Sequence, residues 1–283
     1  EMTERDGPIE AHQPLFKGLQ QYDHPWSQHK IERGLWANGL GLKKLGSADA
    51  TTLLFAGCSA DRDSGRGGAI ALAKLMQKAG EDFVILGDEE KCCGLYAFDL
   101  GFRREYDRLE NANLSCIEAA GIRKVVVACG SCQRIWGQYA KKAEPQIAVL
   151  HGVEYVEDLL KTGRLKFSRT VLKKVTYHDS CHLGRGCGVY QAPRTILRSI
   201  PGIELVEMER NQRWAWCCGG GGGVPEAYPE LAQWSARDRM REATDTRAEL
   251  LLTSSALCQR SFSTCSEGAL PTMDLLEFAC QAH

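Results

Sequence analysis

Residues 217–223 read Cys-Cys-Gly-Gly-Gly-Gly-Gly, and the same opening Cys-Cys-Gly occurs earlier in the chain at residues 92–94. Two further matches flank this pair in the same order, namely Cys58 with Cys181 and Cys132-Gln133-Arg134 with Cys258-Gln259-Arg260. The offsets are 123, 125 and 126 residues, and three matches at nearly one offset mark a duplicated unit. We predict that the two copies meet near residues 162–174.

Short apolar runs outside these matches predict the secondary structure around them. Four runs lie in the first copy and three in the second: residues 51–56, 83–86, 125–128, 147–150, 175–178, 203–206 and 250–253. Amphipathic stretches separate them, including a helix after Pro193 and a long helix from about Tyr228. This alternation is typical of an α/β fold with a mostly parallel sheet. Because the start of the chain is polar with a helical pattern, we expect domains at residues 1–50, 51–170 and 171–283.

The composition of the 283-residue chain excludes several classes of function. Its 35 basic and 36 acidic residues give a net charge of −1, which provides no basic field for nucleic acid. No apolar run is long enough to cross a membrane, and the first 30 residues lack the pattern of a secretory signal. We therefore expect a cytoplasmic protein that does not bind nucleic acid.

The cysteine content points to metal or redox chemistry. Thirteen cysteines are many for this length, and an odd number in an unexported protein argues against a disulfide framework. Cys116 and Cys280 fit the pattern of small buried hydrophobic residues, whereas Cys187 and Cys265 fit either role.

The remaining cysteines fall into two groups that follow predicted strands. Because the carboxyl ends of parallel strands meet at one edge of a sheet, cysteines that are distant in sequence converge there. The first site therefore comprises Cys58, Cys92, Cys93, Cys129 and Cys132. The second site comprises Cys181, Cys217, Cys218 and Cys258, with Ser255 where the first site has Cys129.

The spacing of these cysteines favours iron–sulfur clusters over zinc. A tetrahedral zinc site usually takes two close cysteine pairs, and each half has at most one. Adjacent cysteines do not easily bind one small ion, but a multi-iron cluster offers each sulfur a different iron. The glycines at residues 219–223 allow backbone N–H groups to approach sulfide and thiolate. A flexible loop and a phosphate-binding loop are the alternatives, although no Lys-Ser ending supports phosphate binding.

Two histidines lie close to Cys181 in the sequence, His178 and His182. A histidine near a redox cluster can move protons in the physiological pH range. His182 directly follows the cysteine and is our candidate catalytic residue. The alternative is a structural histidine that only makes hydrogen bonds.

These residues resemble the cysteine-rich CCG subunits of heterodisulfide reductase and their electron-transfer relatives. The resemblance covers most of residues 20–265 and rests on the cysteines of both sites. It also rests on three stretches of the second half, residues 177–185, 192–194 and 201–208. It implies two Rossmann-like CCG domains that face each other about an approximate two-fold axis, behind a helical N-terminal extension.

The resemblance also implies the cofactors. In the family, a five-cysteine site can hold a noncubane four-iron, four-sulfur cluster in which one cysteine bridges irons. Such clusters cleave a disulfide as it is reduced one electron at a time. The first site has all five positions and is expected to hold such a cluster. Because of Ser255, three outcomes stay open for the second site: a cubane, a modified noncubane cluster or no cluster. Cys187 and Cys265 are candidate substitutes for the missing thiolate.

Three functions are compatible with these features. The first is an oxidoreductase subunit that passes electrons to a disulfide or to a related sulfur substrate, including a protein-borne one. The second is a relay that hands electrons to quinone, to a flavoprotein or to a partner reductase such as one acting on an aromatic acyl-CoA. The third is a structural or sensory protein with zinc or regulatory thiols, which predicts a colourless preparation.

The resemblance finally implies partner subunits. Larger relatives that share the segment Asp23-His24-Pro25-Trp26 commonly carry an N-terminal ferredoxin domain, whose cysteine run does not occur here. Either that domain belongs to a partner subunit or this chain is a fragment. In either case, we expect electrons to arrive from a ferredoxin-like subunit, a flavoprotein, or a membrane cytochrome or quinone-reactive subunit. Through such a partner the chain would associate with a membrane.

Overall fold

Two parallel β-sheets organise the chain, and a computed structural model describes them within residues 7–47, 50–264 and 270–283. In those ranges the first sheet has five strands in the order β1-β3-β2-β4-β5, and the second has four in the order β7-β6-β8-β9. The strands of the first sheet are β1 (Lys43–Lys44), β2 (Thr52–Phe55), β3 (Val84–Ile85), β4 (Lys124–Val127) and β5 (Ala148–His151). Those of the second are β6 (Lys173–His178), β7 (Ile203–Leu205), β8 (Leu250–Thr253) and β9 (Thr272–Asp274).

The two sheets repeat one topology. Strands β3-β2-β4-β5 correspond in order to β7-β6-β8-β9, and every strand pair is parallel. The register agrees as well, because Phe55 lies opposite Val127 in the first sheet and His178 lies opposite Thr253 in the second. The predicted α/β fold with two duplicated Rossmann-like halves is confirmed.

Helices connect the strands in both halves. The longer ones are α1 (Gln13–Tyr22), α2 (Asp63–Lys78), α4 (Arg103–Ala119), α5 (Gly130–Tyr139), α6 (Gly152–Lys161), α8 (Gln191–Ser199), α10 (Pro229–Asp245) and α11 (Ala256–Thr264). The shorter ones are α3 (Leu95–Asp99), α7 (Gly184–Cys187), α9 (Val224–Ala227) and α12 (Leu275–Cys280). Helix α8 begins two residues before Pro193, because proline is tolerated in the first turn of a helix. Within the described ranges, no helix combines the length and the apolar character needed to cross a membrane.

The central strands β4 and β8 each contain three consecutive apolar residues. Val125, Val126 and Val127 are fully buried, and so are Leu251 and Leu252. Parallel strands are covered by helices on both faces, so a central strand must be apolar on both. This burial explains why the strands can be predicted from short apolar runs in the sequence.

The N-terminal extension is helical, as predicted, but it also contributes a strand. Lys43 and Lys44 form β1, which pairs with β3 at the edge of the first sheet. Both side chains are exposed and pair with Asp82 and Asp88. Two consecutive lysines do not resemble a strand, so only the edge pairing reveals β1. The domain boundaries near residues 50 and 170 stay predictions.

The largest hydrophobic core is shared between the halves. It includes Leu72 of α2 together with Leu275 and Leu276 of α12, near the C-terminus. Helix α12 packs on α2 of the first half, and the approach is close. A Cβ atom added at Gly68 would lie 2.8 Å from the carboxyl carbon of Asp274. The contact fixes the second half against the first.

Candidate metal centres

The first site assembles at the carboxyl ends of β2 and β4, where the sequence predicted it. A short 3-10 helix, Cys58–Asp61, begins three residues after the end of β2. Cys92 and Cys93 lie in the loop before α3. Cys129 precedes the first residue of α5, and Cys132 lies in its first turn. Separate strand ends and loops thus bring five thiols together.

The five thiols of the first site form one unbroken series. The Cys92 sulfur lies 4.0 Å from the Cys58 sulfur and also contacts the Cys93 thiol. Cys93 in turn contacts Cys132, and Cys132 contacts Cys129. All but Cys58 are buried, and Cys58 is partly exposed. The series therefore links all five predicted thiols of the first site.

The pKa values of these thiols shift in both directions along the series. Hydrogen bonds from the Cys58 and Cys93 thiols hold the pKa of Cys92 well below its usual range. The Cys132 thiol lowers the pKa of Cys129 to about 6. In contrast, the pKa of Cys58 is raised by its bond to Cys92 and by burial, and that of Cys132 by its bonds to Cys129 and Cys93. Five neighbouring thiols, four of them buried, cannot all ionise without a positive core among them, so the donor set fits a multi-iron centre.

The second site is built in the same way from the second half. The sulfur atoms of Cys218 and Cys258 are 3.1 Å apart, and Cys217 contacts both Cys181 and Cys218. The pKa of Cys217 is lowered by these two thiols, while that of Cys181 is raised by its bond to Cys217 and by burial. All four predicted cysteines therefore converge.

Ser255 occupies the structural position of Cys129. Each residue directly precedes a helix, and each carbonyl accepts the backbone N–H of a glutamine four residues later at 3.0 Å, Gln259 and Gln133 respectively. Ser255 is 1% exposed, and its hydroxyl interacts with the Cys258 thiol. The second site thus has a serine hydroxyl where the first has a thiol.

Backbone N–H groups point at the sulfurs in both sites. Gly94 donates to the Cys92 sulfur at 3.4 Å, Gly219 to Cys217 at 3.3 Å and Gly220 to Cys218 at 3.4 Å. Gly94 and Gly219 have φ values of +88° and +73°, which favour glycine. These bonds stabilise thiolate charge, which supports the prediction from the glycine stretch.

The two sites differ in their exposure to solvent. Cys217 is exposed, and the side chains of Trp214 and Trp216 beside it are 67% and 43% exposed. The guanidinium groups of Arg213 and Arg210 lie over these two rings. The second site therefore opens onto an aromatic and basic surface.

His182 lies between the two sites. Its Nδ1 is 2.7 Å from the Oγ of Ser131, which stands between Cys129 and Cys132. Its ring also lies against Gly221 of the glycine stretch. Burial lowers the pKa of His182, and the carboxylate of Asp99 opposes this shift. The candidate catalytic residue thus touches both halves.

Sequence reasoning missed the role of the turn at residues 23–26. The Asp23 carbonyl accepts the backbone N–H of Cys92 at 2.9 Å, and its carboxylate pairs with Lys91 at 2.6 Å. His24 Nε2 lies 3.3 Å from the Cys58 carbonyl, and burial lowers the pKa of His24 to about 4. The N-terminal extension therefore covers the first site, and the sequence carries no local signal of this long-range contact.

The other described cysteines lie apart from both sites. Cys116 is partly buried on α4, and Cys280 ends α12. Cys187 ends α7, where its charged neighbours are Glu154 and Arg134 rather than cysteines of the second site. Cys265 falls outside the described residues.

An open cleft of about 580 Å³ separates the halves beside both sites. Its first wall follows Cys58 and includes Arg62 and Ser64, and its second wall follows Cys258 and includes Gln259 and Arg260. The Arg62 guanidinium lies 4.3 Å from the centre of the Trp26 ring, and that of Arg260 lies 5.8 Å from it. The lining also includes Asp61 and Asp63, so a molecule in this cleft would meet two cations and two carboxylates.

Duplicated parallel sheets with cysteine-lined carboxyl ends define a class of paired redox metal-centre proteins. Within that class, the chain belongs to the cysteine-rich CCG domain family, which matches residues 52–135 and 175–263. The predicted resemblance is thereby confirmed.

Curated relatives and a solved structure agree with this assignment. The chain is 33% identical over 264 residues to one of the subunits of dihydromethanophenazine:CoB–CoM heterodisulfide reductase from Methanosarcina barkeri, covering 91% of this chain and 63% of that protein. It is 36% identical over 264 residues to EtfAB:quinone oxidoreductase of Syntrophomonas wolfei, covering 89% of this chain and 36% of that protein. The chain thus spans less than two thirds of the length of these relatives. A hypothetical protein from Helicobacter pylori shares the fold, with a TM-score of 0.60 and 12% identity over 82% of this chain and 48% of that one.

These comparisons confirm several predictions at the level of the family. They support iron–sulfur clusters as the cofactors and place the chain among subunits of oxidoreductases with electron-transfer roles. The type of each cluster and the role of each cysteine stay predictions.

Proposed function

We propose that this chain is the iron–sulfur subunit of an oxidoreductase complex that delivers electrons through a noncubane four-iron, four-sulfur cluster to a disulfide or related sulfur substrate. The unbroken series of five thiols in the first site carries this proposal. An ordinary cubane takes one thiolate for each of four irons, so the fifth thiol fits a cluster in which a cysteine bridges irons. The similarity to a heterodisulfide reductase subunit supports the choice of substrate.

The chemistry of the reaction defines what the protein must supply. Reduction of a disulfide consumes two electrons and two protons and yields two thiols. When bound, a cluster of this type supplies the electrons one at a time. The thiolates of Cys58, Cys92, Cys93, Cys129 and Cys132 would hold it. His182 lies beside Ser131 between the sites, where it is placed to hold a proton for a sulfur that leaves as a thiolate.

The cleft between the halves supports access of a sulfur substrate. Its first wall begins at Asp61, three residues after Cys58, and Cys58 is the partly exposed thiol of the first site. Its lining combines Arg62 and Arg260 with Asp61 and Asp63, so we expect a disulfide substrate that carries polar groups able to pair with both cations and carboxylates. A cluster that faces a cleft fits chemistry on a substrate better than pure electron relay.

A second candidate function is electron relay to or from partner subunits. The exposed Cys217 and its tryptophan neighbours favour it, because a cluster at a protein surface can exchange electrons with a docked partner. The similarity to EtfAB:quinone oxidoreductase supports this alternative. The partners we propose are a ferredoxin-like subunit, a flavoprotein, or a membrane cytochrome or quinone-reactive subunit. Such a partner would hold the chain at the cytoplasmic face of a membrane.

Dye-linked disulfide reduction distinguishes the two functions. Anaerobic protein is given reduced viologen and an anionic disulfide, and thiol release is measured. We expect turnover in the wild type and in Cys116→Ser, which alters a cysteine outside both sites, and no turnover in Cys93→Ser. Turnover that survives Cys93→Ser would overturn the proposal. A wild type that oxidises viologen only with a quinone or a flavoprotein would favour the relay.

A further inference from the structure

The two halves differ in the residue that ends the first strand before each site. Strand β2 ends at Phe55, three residues before Cys58, and β6 ends at His178, three residues before Cys181. The ring of Phe55 packs on Trp136 at 5.1 Å, and that of His178 packs edge-on against Phe262 at 4.9 Å. The positions are equivalent, so an imidazole in the second half replaces a phenyl ring in the first.

Arg239 fixes the orientation of this imidazole. Its Nε donates to Nδ1 of His178 at 3.2 Å. Arg239 is fully buried on α10, and its Nη1 donates to Glu242 at 2.6 Å and to the Arg210 carbonyl at 2.8 Å. Because Nδ1 accepts a hydrogen bond, its lone pair is occupied and the ring proton resides on Nε2.

The imidazole of His178 lies at the second site, where it interacts with the Cys258 thiol. The imidazole is 1% exposed, and Nε2 has no hydrogen-bond partner among the residues that the structure describes. A ring nitrogen of His178 and the sulfurs of Cys218 and Cys258 all lie within 4.8 Å of one another. A buried N–H without an acceptor costs free energy, so its position beside two sulfurs calls for an acceptor there.

We propose that His178 donates its Nε2–H to a sulfur of the second cluster, either the Cys258 thiolate or a cluster sulfide, and does not bind iron. A metal-bound histidine usually donates its other N–H to an acceptor, whereas here Arg239 donates to the imidazole. The polarity of the bond therefore fits a donor and not a ligand. The inference rests on the presence of an iron–sulfur cluster at the four thiols of the second site, but not on disulfide chemistry at the first.

This hydrogen bond has a consequence for electron flow. An N–H bond to sulfur stabilises the more negative, reduced form of a cluster and so raises its reduction potential. Phe55 cannot provide such a bond in the first half. The histidine would therefore make a cluster at the second site easier to reduce than a phenyl ring at the same position would.

Redox titration of three variants at one position tests the inference. We expect His178→Phe to keep the iron content and to shift the midpoint of the second cluster to a more negative potential. His178→Gln should keep the midpoint of the second cluster close to the wild-type value, because the glutamine amide nitrogen reaches the place of Nε2. His178→Asn should not, because its nitrogen lies near the place of Nδ1. The midpoint of the first cluster is the internal control and stays fixed.

Several outcomes would overturn it. Loss of second-site iron in both His178→Phe and His178→Gln, or the strong nitrogen coupling of a direct iron ligand in pulsed electron paramagnetic resonance of the wild type, would make His178 a ligand. Equal midpoint potentials of the second cluster in the wild type and in His178→Phe would show that His178 does not affect the potential of this cluster. If His178→Phe does not fold, equal midpoints for the Gln and Asn variants overturn the inference. A wild-type protein without a second cluster would also overturn the inference. That result would leave the proposal of disulfide reduction at the first site intact.

Discussion

The Oγ atom of Ser131 and the Nδ1 atom of His182 are 2.7 Å apart, and their hydrogen bond joins the two metal sites. Ser131 lies between two cysteines of the first site, and His182 directly follows a cysteine of the second. The backbones meet closely here as well, because a Cβ added at Gly130 would lie 2.9 Å from Cβ of Leu183. A change at this contact should affect how the sites cooperate rather than whether they form.

Replacing His182 tests its proposed role in proton supply. We expect His182→Gln to keep the iron content and to lower the rate of disulfide reduction by about 100-fold, the usual worth of a positioned acid or base. The rate is measured with reduced viologen as donor. The surface variant His29→Gln is the control and should match the wild type. Full activity in His182→Gln would leave His182 with a structural role only.

Restoring the missing thiol tests the origin of the difference between the sites. We expect Ser255→Cys to bring the spectrum of the second cluster close to that of the first, because Ser255 already stands in the position of Cys129. Electron paramagnetic resonance of the oxidised protein provides the comparison. Ser255→Ala is the matched control and should not produce this change. An unchanged spectrum in Ser255→Cys would show that the serine does not determine the cluster type.

Tyr139 ties the Cys-Cys-Gly turn of the first site to helix α5. Its hydroxyl donates to the Cys93 carbonyl at 2.6 Å, and its side chain is fully buried. Tyr139→Phe leaves this carbonyl without that donor, so we expect a loss of about 1–3 kcal/mol in unfolding free energy. Iron should also escape faster to a chelator. The exposed Tyr228→Phe should change neither quantity, and equal values for both variants would refute the role of this bond.

His151 gives the fold a dependence on pH. It caps helix α6, where its Nδ1 accepts the backbone N–H of Val153 at 3.1 Å, and burial lowers its pKa to about 3. The unfolded value is about 6.5, so stability is full above that pH and falls as pH drops toward the folded value. Between pH 7.5 and 5.5 we expect His151 to account for a loss of about 1.4 kcal/mol.

Denaturant unfolding of His151→Asn at these two pH values checks this expectation. Asparagine keeps a cap acceptor but does not titrate, so the variant should lose less stability than the wild type between pH 7.5 and 5.5. The unfolding free energy of the variant at pH 7.5 is compared with its own value at pH 5.5. This comparison separates the effect of protonation from any change in packing that the substitution causes. An equal loss in both proteins would contradict the assignment.

The sequence predicted those features that local patterns or the repeat encode. The offset between Cys58 and Cys181 was sufficient to align β2 with β6 and to bring the thiols of each site together. Sequence reasoning missed the contact between Asp23 and Lys91, because these two residues are far apart in the chain and neither residue type is unusual at a surface. The exchange of Phe55 for His178 is visible in the same alignment. The role that we propose for His178 depends on Arg239, which lies next to the imidazole only in the folded protein.

The central claim is that both sites hold iron–sulfur clusters and that the first acts on sulfur. Iron and acid-labile sulfide per chain, measured on anaerobically purified protein together with its electron paramagnetic resonance after oxidation with and without a thiol, test it most directly. We predict about eight irons per chain and a thiol-dependent signal that Cys93→Ser abolishes. A colourless protein that contains zinc and no iron would contradict the account.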